Sequence, residues 1–404
     1  MVIMKKQLVI MGAFDRYNFG DLLFPIIIQE YINKYRLDVR KHYSEIVPVA
    51  LEKKDLSDAG GLTTHAWKDL NPNTARDIIV AGGDVLGANT SGLYMDSLNS
   101  YNEHFIARVM RKILTNKYIE NKAAEKFQVT NLLPYVPIQG LNNVDNIVYN
   151  SVSGSGLISG EIKKDDNKII VDRLLKSKFV SIRDKNTHKA ILNNGVTAKL
   201  APDSASIVRE LFPLEELETK ITDDKIINLK GKDHIVFQFG LRKSKNHFDE
   251  IVSQIEEIAS QGDNEIVLLP VGFATNHDDV IALRKISKKI KVPHTFFDEL
   301  TIWEIMYIIG TAKFLFGTSL HANITAMSYN VPHIGLNKNI VKLDKYLETW
   351  GLEPLNKNID FSEMSSFFFK NKNFDKTIIY QNSNKLIKLT HDNFNELFDN
   401  LLID

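Results

Sequence analysis

Cysteine is absent from all 404 residues, which removes disulfides, thiolate metal sites and cysteine nucleophiles together and fits a reducing compartment. An excess of charge of either sign is missing too. Fifty Lys and Arg stand against 50 Asp and Glu, so no global field draws in nucleic acid or an anionic membrane, and any anion site must be local. Long apolar runs are lacking as well: the stretch before Gly12 holds only a short one, far below a signal-peptide core or a spanning helix. It reads as the first strand. There is no repeat of solenoid period, and neither a GxGxxG nor a GxxxxGK[ST] phosphate loop follows that strand.

What is present is alternation. Apolar strands interleave with helical patterns, the mark of βαβ units over a parallel sheet, and the length suits two domains of about 200 residues. The first run reads as strands at Gln7–Met11, Asp77–Ala81, Tyr135–Gln139 and Phe179–Ile182, with a helix from about Leu22 to Tyr35. The second reads as strands at His234–Phe239, Glu265–Pro270, His294–Phe297, Lys313–Gly317 and His333–Leu336. The charged stretch Leu214–Lys232 is the linker candidate, and the domains are placed at 1–212 and 213–404. Asn142–Lys168, rich in Asn, Ser, Gly and Asp, reads as a mobile loop on the first domain. The Asn/Lys-rich C-terminal stretch, with its phenylalanines, reads as helices that close the second domain or cross back to the first.

Strand ends in such sheets are where ligands sit. At the first, GAFDRYNFGDLL (Gly12–Leu23) offers Gly12 and Gly20 for close backbone approach and Asn18 and Asp21 as polar contacts or as helix caps. IIVAGGDVLGANTSG (Ile78–Gly92) has Gly83 and Asp84 at a strand end, read either as a hydroxyl-facing turn or as a plain turn. Arg183 ends another strand, as an anion fork or as half of a structural ion pair; Asp184 would cap the helix Lys185–Leu192, and Asp203 is a further cap candidate. In the second domain FQFGLRKSKNHF (Phe237–Phe248) presents Arg242, Lys243 and Lys245 on a loop, as a phosphate or carboxylate site or as a solvated turn. His277 and Asp278 lack a second histidine at ligand spacing, so no metal is expected. The most informative segment is FLFGTSLHANITAMSYNVPHIGL (Phe314–Leu336). There a buried strand runs into a small-residue turn carrying Ser319, Leu320 and His321 at a helix N-terminus, which favours anions.

In one order, NFGD (Asn18–Asp21), GGD (Gly82–Asp84), SIRD with a downstream PD, and SLHANITAMSYNVPHIGL followed by KLDKYLETWGL (Lys342–Leu352) make the chain resemble the polysaccharide pyruvyl transferase family. The resemblance spans roughly Gly12 to Leu352. It implies an α/β fold of two Rossmann-like parallel-sheet domains facing a cleft, as in GT-B glycosyltransferases, with residues 1–212 on the acceptor side and 213–404 on the donor side. It implies transfer of a pyruvyl group from phosphoenolpyruvate to two hydroxyls of a sugar, as a ketal, on a cell-surface polysaccharide or its lipid-linked precursor. No cofactor or metal is needed. The expected place of action is the cytoplasm or the inner face of the membrane, with no nucleic-acid partner. His321 would be the acid, with Asp21 and Asp84 as further catalytic groups. Arg183, Arg242, Ser319, Leu320 and Lys342 would hold the donor, and Asn18, Gly20 and Gly83 the acceptor. One departure stands out: members commonly carry Arg-Leu-His where this chain has Ser319-Leu320-His321. Loss of that charge-assisted contact is worth about 2 to 4 kcal/mol unless another cation holds the anion. The alternatives are a GT-B transferase using a nucleotide sugar, with Glu299 as ribose ligand, and a non-catalytic sugar-binding protein.

Overall fold

A computed structural model of the chain describes residues 5–98, 100–114, 116–129, 132–160, 162–274 and 278–403. It forms two compact units. Unit 1 is Met1–Tyr17, Asp21–Ser204 and His391–Asp404; unit 2 is Asn18–Gly20 and Ala205–Thr390. The main change of unit thus falls at Ser204/Ala205, where the sequence reading placed it at 212/213. The stretch Leu214–Lys232 is no bare linker: it folds into short helices at Leu214–Glu218 and Asp224–Ile227 whose Leu217 and Ile226 are buried in unit 2. The last helix, Lys376–Leu402, passes from unit 2 into unit 1 at residue 391.

Each unit is built on a wholly parallel sheet. In unit 1 the strands are β1 (Gln7–Met11), β2 (Glu45–Ala50), β3 (His65–Ala66), β4 (Arg76–Val80), β5 (Val144–Val152), β6 (Phe179–Ile182) and β7 (Lys199–Leu200), in the order β3-β2-β1-β4-β5-β6-β7. In unit 2 they are β8 (His234–Gln238), β9 (Glu265–Leu268), β10 (His294–Phe296), β11 (Phe314–Gly317), β12 (His333–Leu336) and β13 (Asn358–Ile359), in the order β10-β9-β8-β11-β12-β13. Both orders run outward from a central pair, β1/β4 and β8/β11, where the chain changes direction across the sheet. This is the doubly wound topology, and ligands bind at that switch point. The expected α/β class with two Rossmann-like sheets is therefore what the chain adopts.

The central strands are mainly apolar because helices cover both faces of a parallel sheet. QLVIM and HIVFQ are buried at every position. In unit 2 the rings of Phe237 and Phe316 stack at 5.1 Å, with Phe368 packed on Phe314 and Phe316, so the C-terminal phenylalanines serve partly as core. One strand was misplaced. Tyr135–Gln139 is irregular, because Pro134 and Pro137 bring no backbone donors to a ladder. Its place in the sheet is taken by β5, inside the stretch read as a mobile loop, and the helices Ser155–Ser159 and Lys164–Leu175 follow it.

Candidate functional site

In unit 2, β8 and β11 end side by side, and each hands the chain to a helix. After β8 comes Gly240 and the short helix Leu241–Ser244; after β11 come Thr318, Ser319 and the helix Leu320–Ser328. A cavity of about 140 Å³ opens at this switch point, lined by Asn18, Gln238, Gly240, Leu241, Arg242, Lys243, Val271, Gly272, Asp279, Ser319, Leu320, His321 and Lys342. The two halves of the rim are tied by partly buried hydrogen bonds. The Gly240 N–H donates to Thr318 Oγ1 at 2.9 Å, and Lys243 Nζ donates to the Thr318 carbonyl at 2.9 Å. Ser319 caps its helix, its Oγ accepting from the Ala322 N–H at 3.4 Å. Ser319 thus has a local structural role.

Beneath the rim lies a buried polar hub that the sequence reading passed over. Asp279, 5 % exposed, accepts on one oxygen from Gln238 Nε2 at 2.7 Å and from the N–H groups of Val271 and Gly272 at 3.1 and 3.2 Å. Gln238 Oε1 in turn accepts from the Ser319 N–H at 2.8 Å and from Thr318 Oγ1 at 3.3 Å. Their signals were faint: a glutamine ending an otherwise apolar strand, and the second acid of HDD.

The segment Asn18–Gly20 also belongs to this unit. Asn18 pairs with Gly272 in an antiparallel bridge, and the Phe19 N–H donates to the Val271 carbonyl at 3.0 Å. Gly20 lies directly against the imidazole of His321: a Cβ built on it would stand 1.8 Å from Nδ1. Room at Gly20 is therefore filled by the histidine and not by a ligand. Likewise the space over Gly12 is taken by the Phe14 ring, 2.5 Å from the Cβ position.

Three cations meet at the cavity, Arg242, Lys243 and Lys342, against the one carboxylate of Asp279. Burial first, then the charge of Lys342, and least that of Arg242, together bring the pKa of Lys243 down to about 7, with Asp279 working the other way. Burial likewise raises Asp279, to about 6, against the hydrogen bonds from Val271, Gln238 and Gly272 and the charge of Lys243. Half-buried His321, at the start of its helix, completes the wall. Such a wall can hold a small, multiply charged anion with a proton donor beside it.

The other expected site residues lie elsewhere. Arg183, 3 % exposed, is in unit 1 and donates to Asp203, itself fully buried, at 2.7 Å. Of its two readings the ion pair holds, and it does not line the cavity. Burial opposes its charge, but Asp203 and then Asp84 more than offset that, so its pKa stands above the ordinary arginine value. Asp84 accepts from the Ser155 N–H at 2.9 Å and from the Ser155 hydroxyl. Gly82 and Gly83, both at positive φ, form the turn before it, and Gly83 bridges to Val152. Asp21 stands 3.9 Å from Arg16, which also faces Asp96 at 3.5 Å. Glu299 is exposed and lines no part of the cavity. His277 lies outside the described residues; among those described, no group of three or more His, Asp or Glu is placed to hold a metal. Unit 1 has a larger cavity of about 350 Å³ lined by Trp67, Tyr135 and three prolines, with Lys68 its one charged side chain. It offers little for acid–base chemistry.

The sequence model of the polysaccharide pyruvyl transferase family matches residues 131–339, more than half of the chain. The chain belongs to that family. The match takes in Arg242, Lys243, Asp279, Ser319 and His321, and stops short of Asn18–Gly20 and Lys342. A polysaccharide pyruvyl transferase is a transferase of polysaccharide biosynthesis, and its fold here is shared more widely. A UDP-GlcNAc 2-epimerase from Neisseria meningitidis, solved with UDP-GlcNAc, aligns over 98 % of this chain and 100 % of its own at TM-score 0.50 and 11 % identity. MnaA of S. aureus, solved with UDP, aligns over 94 % and 91 % at 0.50 and 12 %. The Methanocaldococcus jannaschii epimerase, with UDP-GlcNAc and UDP, aligns over 92 % and 94 % at 0.50 and 12 %. At such identities the likeness is one of fold. A search of curated proteins finds no match. Among the described residues no helix is long and apolar enough to cross a membrane.

Proposed function

We propose that this family member moves a pyruvyl group from phosphoenolpyruvate to two hydroxyls of a sugar in a cell-surface polysaccharide or its lipid-linked precursor, working in the cytoplasm or at the inner face of the membrane. The observation that carries the reading is the excess of cations around His321 in the unit 2 cavity. Phosphoenolpyruvate carries its phosphate and its carboxylate on one carbon, and Arg242, Lys243 and Lys342 supply charge for both where Ser319 has none.

The chemistry makes defined demands on these residues. The methylene carbon of the enol takes a proton, a sugar hydroxyl adds to the neighbouring carbon and releases its own, phosphate departs, and the second hydroxyl closes the ketal. Of the two protons that the hydroxyls give up, one balances the methyl group and the other leaves with phosphate. His321 is the proton donor of the first step, since imidazole is the side chain suited to general acid catalysis near neutral pH. Arg242, an exposed fork on the rim, grips the departing phosphate, and Lys243 and Lys342 balance the charge that builds on it. Asn18, also in the cavity lining, is the polar group that orients an acceptor hydroxyl.

Calorimetric titration with phosphoenolpyruvate and with UDP-sugars tests the reading. Phosphoenolpyruvate should bind and Arg242→Ala should weaken it, whereas binding of a UDP-sugar alone would replace pyruvyl transfer by glycosyl transfer. His321→Ala should lower turnover by about 10²- to 10⁴-fold with donor affinity kept; retained turnover would remove His321 from the chemistry.

A further inference from the structure

We infer that Asp279 is a positioning residue for His321, its carboxylate tying together two backbone walls, the one the imidazole lies against and the one that carries it. The inference rests on the reading of His321 as the acid of the site.

One wall is the segment that carries Gly20. Asp279 receives the N–H groups of Val271 and Gly272, and its own N–H donates to the Gly272 carbonyl at 2.9 Å. That turn holds Asn18 through a bridge and Phe19 through the Val271 carbonyl, which sets Gly20 under the ring. The other wall is the turn after β11. Asp279 fixes the Gln238 amide, and Gln238 receives the Ser319 N–H two residues before His321. A single oxygen thus governs both the segment against the imidazole and the turn that carries it.

Burying an acid beside an apolar strand is unfavourable unless it is needed. A helix start can be capped without it, and Asp278 already does so, accepting from the Ile281 N–H at 3.2 Å. With the cap supplied by its neighbour, three donors converging on the Asp279 oxygen have one common result, the spacing of the two turns. A buried, hydrogen-bonded carboxylate is stiff, and a proton donor displaced by about 1 Å can lose on the order of 10²-fold in rate.

The test uses the full chain without ligand, so that it stands whatever the donor is. The His321 ring signals are read by NMR and assigned by their loss in His321→Ala. In Asp279→Ala and in Gln238→Ala they should be displaced, and Asp279→Asn, which retains one oxygen acceptor, should restore part of the displacement. The comparison variant is Ile258→Ala, a core truncation in the same unit that touches neither wall. Unmoved His321 signals in a folded Asp279→Ala or Gln238→Ala protein, or an equal displacement in Ile258→Ala, would overturn the inference. Should Asp279→Ala fail to fold, Gln238→Ala decides. With phosphoenolpyruvate and acceptor, Asp279→Ala should lower kcat by at least about tenfold with donor KM within about threefold; a loss confined to KM would also overturn it. Absence of transfer by the unaltered chain would count against the donor reading alone.

Discussion

Both units end a parallel strand in a turn with an arginine close by, and they use the charge in opposite ways. In unit 1, Arg183 is sealed from water against Asp203, and Asp84 is taken up by Ser155. In unit 2, Arg242 is exposed, and three cations share a cavity with one acid. The first set is closed on itself and contributes to the order of the fold; the second leaves charge for a ligand to neutralise. The lesson concerns strand-end arginines in general. The residue type and its place at a strand end are common to both readings, and what separates them is that Arg183 donates directly to a buried acid whereas Arg242 is exposed.

The contrast can be broken by substitution. Arg183→Ala should cost about 3 to 5 kcal/mol of stability, because the buried Asp203 carboxylate loses the guanidinium that neutralises it, as read from the denaturation midpoint; a midpoint near the native one would mean that the pair is dispensable. Arg242→Ala should leave that midpoint unchanged and lower phosphoenolpyruvate affinity by about 10- to 100-fold, the worth of a charge-assisted contact. An effect of Arg183→Ala on donor affinity in the folded protein, or none of Arg242→Ala, would reverse the assignment.

Smaller, but particular to unit 2, is the response to pH. In the free protein Lys243 loses its proton as pH rises through about 7. A bound anion favours the charged lysine, so binding takes up a proton above that pH, and affinity should fall by up to about tenfold per pH unit between 7 and 9. Calorimetry in buffers of different ionisation enthalpy reads the proton uptake directly, and a flat profile would detach Lys243 from the anion. The same shift affects stability in the opposite sense. The folded pKa lies below the unfolded value, so the unfolded chain binds more protons between about 7 and 10.5 and stability rises with pH across that window. Lys243→Met should flatten both slopes.

Much of this was legible in residues. Apolar runs such as HIVFQ and FLFG gave their strands because both faces are covered, and Asp184 marked the start of its helix at Lys185 by capping it through the Thr187 N–H at 2.8 Å. Strand β5 was lost because its apolar residues are interrupted by Asp145, Asn146 and Asn150, and the pattern resembled a loop. In the site, His321, Ser319, Arg242 and Lys342 could be read because motifs carried them. Asp279 and Gln238 could not, since their importance lies in contacts across strands far apart in sequence. Gly20 was singled out for the correct property, its missing side chain, but the neighbour that needs the space comes some three hundred residues later.

The path of the chain through the two units has a practical consequence for anyone dissecting the molecule. A cut at Ser204/Ala205 does not yield two complete pieces. A fragment ending there lacks His391 and Phe394, against which Tyr31 packs at 5.4 and 4.4 Å, and Asn393, whose amide donates to buried Asn150 at 2.8 Å. A fragment beginning there lacks Asn18–Gly20 and with them the floor beneath His321. Stable halves therefore require grafts, with residues 391–403 joined to the first and a short peptide bearing Asn18–Gly20 supplied to the second, and complementation between such pieces would be a sensitive assay for variants of either.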